Sequence, residues 1–61
     1  MSIPSDKYYD YVHLIEEANT MDEKPGKKAL KRIYITIGSQ YGFDDEDYER
    51  LYNMRRWIYL D

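Results

Sequence analysis

The sequence predicts an all-α fold, a small three-helix bundle with a helix-turn-helix-like corner between helices 2 and 3. Two observations predict it. Apolar and aromatic residues recur at helical spacing in three stretches: Tyr8, Tyr11, Val12, Ile15 and Ala18; Leu30, Ile33, Tyr34, Ile37 and Tyr41; Tyr48, Leu51, Tyr52, Ile58 and Tyr59. Gly38 and Gly42 then stand ahead of the third stretch with helix-turn-helix spacing. In that reading Gly38 lets the first helix of the motif pack closely, and Gly42 supplies a positive φ in the turn. Ile37, Tyr41, Phe43, Tyr48 and Leu51 fill the remaining core positions of the motif.

Helix 1 is expected over residues 5–19. Ser5 follows Pro4 and can cap the first N–H groups, and Asp6 suits the positive end of the helix dipole. Leu14 lies at the edge of the apolar face. Thr20 to Gly26 is a polar connection in which Asp22 can cap helix 2 and Pro25 is tolerated in a first turn. Helix 2 is expected over residues 25–41. Arg32 to Ile37 also alternates as a strand would, and Arg56 to Leu60 is its one candidate partner. The helical stripe extends past the alternation on both sides, which favours helix. Helix 3 is expected over residues 44–59, with Asp44 as cap, Asp47 as the reciprocal capping-box residue and Phe43 stapled onto Tyr48. Met54 lies at the edge of its stripe. Arg55 falls inside the stripe, where it either snorkels or pairs with a helix 1 carboxylate such as Glu16.

The 61 residues form one domain, 1–61. A core this small rarely supplies more than about 3–5 kcal/mol of net stability, so association with another chain, including a second copy, is expected to matter. With no cysteine and the single histidine His13, neither a disulfide nor a zinc site is expected. Residues 1–20 hold no uninterrupted apolar segment of the signal-peptide kind, and no run approaches the roughly 18 apolar residues of a membrane helix. The expectation is a cytoplasmic protein with no membrane partner.

The net charge of −3 is unevenly distributed. Lys24, Lys27, Lys28, Lys31 and Arg32 form a basic stretch without acids, set between two acidic segments. The start of helix 3 carries Asp44, Asp45, Glu46, Asp47 and Glu49. In a helix-turn-helix DNA reader that start enters the major groove beside phosphates. These carboxylates would be repelled there, so the recognition end is expected to face something other than nucleic acid.

Tyr9, Ile35, Trp57 and Leu60 fall off the inner stripes and are expected to face outward. Eight tyrosines add amphipathic contact area of the kind favoured at interfaces. No nucleophile–base constellation or phosphate-cradling glycine loop is present, and so small a bundle offers little concave volume for a reaction. The expectations are therefore no enzyme activity, no cofactor and no small-molecule substrate. The favoured reading is a small regulator or inhibitor that docks an acidic, tyrosine-rich surface on a larger protein. Small acidic inhibitors of host nucleases, polymerases or defence complexes, such as phages carry, are broadly of this type. Its partner-binding residues would be Asp45, Glu46, Glu49, Trp57, Tyr9 and Ile35. The alternative is a helix-turn-helix transcriptional regulator that contacts DNA through the Lys24–Arg32 patch, chiefly Lys27, Lys28, Lys31 and Arg32. Small phage and plasmid repressors share that size and motif.

Overall fold

Pro4 opens the first helix. It occupies the cap position at φ −57°, ψ 144°, and its carbonyl accepts the Tyr8 N–H at 2.8 Å. The computed structural model describes residues 3–57 and contains three helices: α1 (Ser5–Asn19), α2 (Glu23–Tyr41) and α3 (Glu46–Tyr52). Among the described residues there is no strand. Arg32 to Ile37 lies wholly inside α2, so the alternating pattern does not form a strand. The face of α2 explains this. Leu30, Tyr34 and Ile37 are buried at successive turns, whereas a strand would have sent Tyr34 and Ile37 to opposite faces.

The start signals need two corrections in α1 and α2. Ser5 is the first residue of α1, and the cap position before it belongs to Pro4. Asp22 does occupy the cap position of α2, but its side chain accepts no capping bond there. α2 begins at Glu23, two residues before Pro25. Pro25 costs nothing in this first turn, because the first four N–H groups of a helix have no intrahelical acceptor.

The core is made of Ile15, Leu30, Ile37 and Leu51, all fully buried, with Ala18, Tyr34 and Ile3 almost so. Each aliphatic side chain of this size contributes about 1.5–3 kcal/mol on burial, so a few residues carry the bundle. Tyr8, Tyr11, Val12, Ile33, Tyr41, Tyr48, Tyr52 and Met54 pack around them, in line with the three stripes. Ile3 enters the core from ahead of α1, a position no helical stripe marks. Tyr34 joins α2 to α3. Its hydroxyl donates to the Leu51 carbonyl at 2.8 Å, and its ring meets Tyr52 at 4.9 Å and Tyr48 at 6.1 Å, edge to face. Burial pushes the Tyr34 phenol well above its ordinary pKa, despite the nearby Arg55 cation. Burial raises Tyr48 as well.

Gly42 ends α2 at φ 102°, and its N–H donates to the Gly38 carbonyl at 2.8 Å. The positive φ expected there is present, and an L side chain would be strained at it. Gly38 is also a close-packing site. A Cβ at that position would overlap the Phe43 ring, so the glycine makes room for the turn. Phe43 itself is 58 % exposed, so it covers Gly38 from outside and is not a core residue. Its ring meets Tyr48 at 5.4 Å, the contact expected of a staple.

α3 departs most from expectation. Its cap is Asp45, not Asp44: Asp45 Oδ1 accepts the N–H of Asp47 at 2.9 Å and of Tyr48 at 3.3 Å. The turn closes through Asp45 N–H to the Gly42 carbonyl at 3.3 Å, which places the cap one residue later. Asp47 is thereby the second helical residue and not the reciprocal member of a capping box. The helix ends at Tyr52, well short of residue 59. Asn19 at the end of α1 accounts for the early stop. Its side-chain amide donates to the Met54 carbonyl at 2.9 Å, and its Oδ1 accepts the Arg56 N–H at 2.9 Å. The Arg56 guanidinium also donates to the Asn19 carbonyl at 3.1 Å. Backbone groups that a longer helix would have used internally are taken by α1. Ile58, Tyr59 and Leu60, assigned above to the inner stripe or the outer face, lie outside the described residues.

Candidate docking surface

The start of α3 was expected to present a block of five carboxylates, and the fold splits it. Asp44, Glu46 and Glu49 are exposed. Asp45 is half-buried, with one oxygen committed to capping. Asp47 is fully buried. The phase of the helix explains Asp47. It lies four residues before the core residue Leu51, about 40° from it at 100° per residue. That phase is legible in the sequence, where Asp47 falls on the Leu51 face within a run of acids. Arg50 sits among these groups, with Nη1 3.4 Å from Asp47 Oδ1 and Nη2 4.0 Å from Glu46 Oε1.

Tyr9 is 63 % exposed and stands beside this edge. The first turns of α1 and the start of α3 flank a half-open cavity of about 190 Å³ lined by Ser5, Tyr8, Tyr9, Asp47 and Arg50. The Tyr8 and Tyr9 rings are perpendicular in it, with centroids 5.8 Å apart. Glu46, Glu49, Arg50 and Asn53 line a second depression that continues from Arg50 along α3. Arg50 therefore links the depression that holds Tyr9 to the one that holds the solvent-facing acids Glu46 and Glu49. Asp47 adds an unusual feature to the first: its Oδ2 atom is buried with no hydrogen-bond partner among the described residues. Leaving a buried acceptor unmatched costs about 1–3 kcal/mol, more when it is charged.

The other expected contact residues go elsewhere. Trp57 does not face outward. It is half-buried and its ring lies against Gly26, where a Cβ would overlap it. The expected exposure came from extending the α3 helical phase to residue 57, and that phase ends at Tyr52. Ile35 is 50 % exposed as expected, but it borders a different groove, lined by Lys31, Tyr34, Ile35, Phe43, Tyr48 and Tyr52. Arg55 folds over Tyr52, with its guanidinium carbon 3.9 Å from the ring centre and Nη1 donating to the Tyr52 carbonyl at 2.7 Å. The Glu16 carboxylate suggested for it lies 3.6 Å from exposed His13.

The basic residues form a separate surface. Lys24, Lys28, Lys31 and Arg32 are exposed on one side of α2, at spacings of four, three and one residues, with Ile35 continuing the row. Lys27 is turned toward Glu23 and pairs with it at 2.9 Å. Among the described residues no group of three or more His, Asp or Glu side chains is placed to hold a metal ion. Among them too, no helix is long and apolar enough to cross a membrane. No family model matches this chain, and no curated protein or solved structure matches it.

Proposed function

We propose that this chain is a small non-enzymatic docking protein that regulates or inhibits a larger, basic protein partner through the Tyr9–α3 edge. The observation that carries this reading is that Arg50 lines both the depression of a 63 %-exposed tyrosine and that of the solvent-facing acids Glu46 and Glu49, with Asp44 at the adjoining turn. Acids at the rim speed encounter with a cationic surface and make it salt-dependent, while an aromatic at the contact holds the complex. A partner whose cationic face normally holds nucleic acid suits this edge. Asp45 is better kept as a structural cap, and Asp44 replaces it in the contact set.

The test uses immobilised wild-type chain and a Glu46→Gln/Glu49→Gln variant against a candidate host lysate, with binding kinetics on any partner recovered. The double variant should associate more slowly and lose salt dependence, and Tyr9→Ala should dissociate faster. Retention of wild-type kinetics by both folded variants would remove this edge from the reading.

The basic row on α2 supports a second reading, contact with duplex DNA phosphates through Lys24, Lys28, Lys31 and Arg32. Asp44, Glu46 and Glu49 at the start of α3 oppose it, because that start would meet the groove. Sequence-selective binding in a fluorescence-anisotropy titration with duplex DNA at physiological salt would make this reading the first.

A further inference from the structure

Against the cavity between α1 and α3 lies a polar atom that the described residues leave unmatched. Asp47 is fully buried, lines the cavity, and has no partner for Oδ2. Buried polar atoms are nearly always hydrogen-bonded, so an exception marks a place where a partner is to be sought. Among the described residues, its other oxygen is held by the long 3.4 Å contact to Arg50 alone. Arg50 is also shared with Glu46 at 4.0 Å, so two carboxylates face one guanidinium. Tyr8 and Tyr9 supply aromatic walls, set at right angles.

We infer that this cavity is a receptor for the guanidinium of an arginine side chain presented by the partner protein, with Asp47 Oδ2 accepting its N–H groups. That the arginine comes from a protein rests on the docking reading above; the preference of the cavity for a guanidinium does not. Arginine suits the site better than lysine because its planar fork donates in plane to a carboxylate while its faces stack on aromatic rings. Its weak hydration lowers the cost of leaving water for a buried carboxylate. Asp47 is covered in this structure and Tyr9 is the exposed wall of the cavity, so an arginine reaches Oδ2 by displacing the side chains that cover it.

The experiment is a nuclear magnetic resonance titration of the isotope-labelled full chain with acetyl-Gly-Arg-Gly-amide, and with the lysine and citrulline counterparts. Shifts from the arginine peptide should concentrate at Ser5, Tyr8, Tyr9, Asp47 and Arg50. The arginine peptide should bind about tenfold more tightly than the neutral citrulline peptide, since the charge-assisted bond is lost in the latter, and more tightly than the lysine peptide. Asp47→Asn should abolish the preference for arginine over citrulline, and Tyr9→Ala should weaken arginine binding at a ring whose exposure leaves the fold intact. Equal shifts from the arginine and citrulline peptides would overturn the inference, as would wild-type binding by folded Asp47→Asn. If Asp47→Asn does not fold, the citrulline comparison and Tyr9→Ala decide. A silent titration alongside an intact salt-dependent partner complex sinks the cavity but leaves the docking reading. A selective titration with unchanged partner kinetics in the Glu46→Gln/Glu49→Gln variant does the reverse.

Discussion

α2 is 19 residues long and sets Leu30, Tyr34 and Ile37 into the core at successive turns, whereas α3 has seven residues and buries a single apolar side chain completely, Leu51. A helix of seven residues has little stability of its own, because isolated helices below about 12–15 residues are marginal in water. α3 therefore stands on individual attachments: the Asp45 cap, the Tyr34–Leu51 hydrogen bond and the Asn19 clamp on residues 54–56. α2 rests on repeated burial along one face. The difference places the adaptable edge of the molecule at α3, where the candidate docking groups also lie.

The largest expected effect is at α2. Leu30→Ala removes a fully buried side chain and should cost about 2–5 kcal/mol. That is comparable to the roughly 3–5 kcal/mol available to so small a core. Circular dichroism should show the whole helical signal lost together, and survival of a folded chain would mean that α2 is not the backbone of the bundle.

Tyr34→Phe probes the attachment between the two helices. It removes the buried hydrogen bond to the Leu51 carbonyl and should cost about 1 kcal/mol. Its pH dependence has a definite sign. The folded Tyr34 phenol titrates above the unfolded value of 10.0, so its contribution is fully present below pH 10 and is lost as pH rises beyond it. Denaturant melts should show wild-type stability falling above pH 10, and Tyr34→Phe should reduce that slope. An unchanged slope would assign the alkaline loss to other tyrosines.

Asp45→Ala should also cost about 1 kcal/mol, as lost caps do. Asp44→Ala should stay within about 0.5 kcal/mol, as exposed substitutions without partners usually do. Thermal melts of the two variants side by side separate cap from neighbour; equal losses would mean that both acids hold the turn. Gly26→Ala tests the seat of Trp57. The added methyl would meet the Trp57 ring and the Ala18 carbonyl, so Trp57 fluorescence should shift to the red as the ring is displaced. An unshifted spectrum would show that Trp57 accommodates the methyl where it stands.

The apolar stripes of α1 and α2 are legible because helical spacing repeats over several turns: Ile15, Ala18, Leu30, Tyr34 and Ile37 are the buried residues the pattern marks. Gly42 is legible for a local reason, since a stop after an apolar stripe calls for a residue that accepts positive φ. The candidate site is legible only in part. Tyr9, Glu46 and Glu49 are exposed as read, but the sequence grouped Ile35 and Trp57 with them, and the fold sends Ile35 to the groove beside Lys31 and Trp57 against Gly26.

By itself, then, the sequence determined three helices, the buried faces of α1 and α2, and a glycine turn before α3, because each depends on residues close together in the chain. Tertiary structure decided which acid caps α3, where α3 stops, and what becomes of Asp47 and Trp57. Those outcomes depend on partners distant in sequence. Asn19 reaches Met54 and Arg56, Gly26 leaves room for Trp57, and Ser5, Tyr8 and Tyr9 of α1 line a cavity with Asp47. A short helix with little intrinsic stability yields to such contacts, and a long amphipathic one does not.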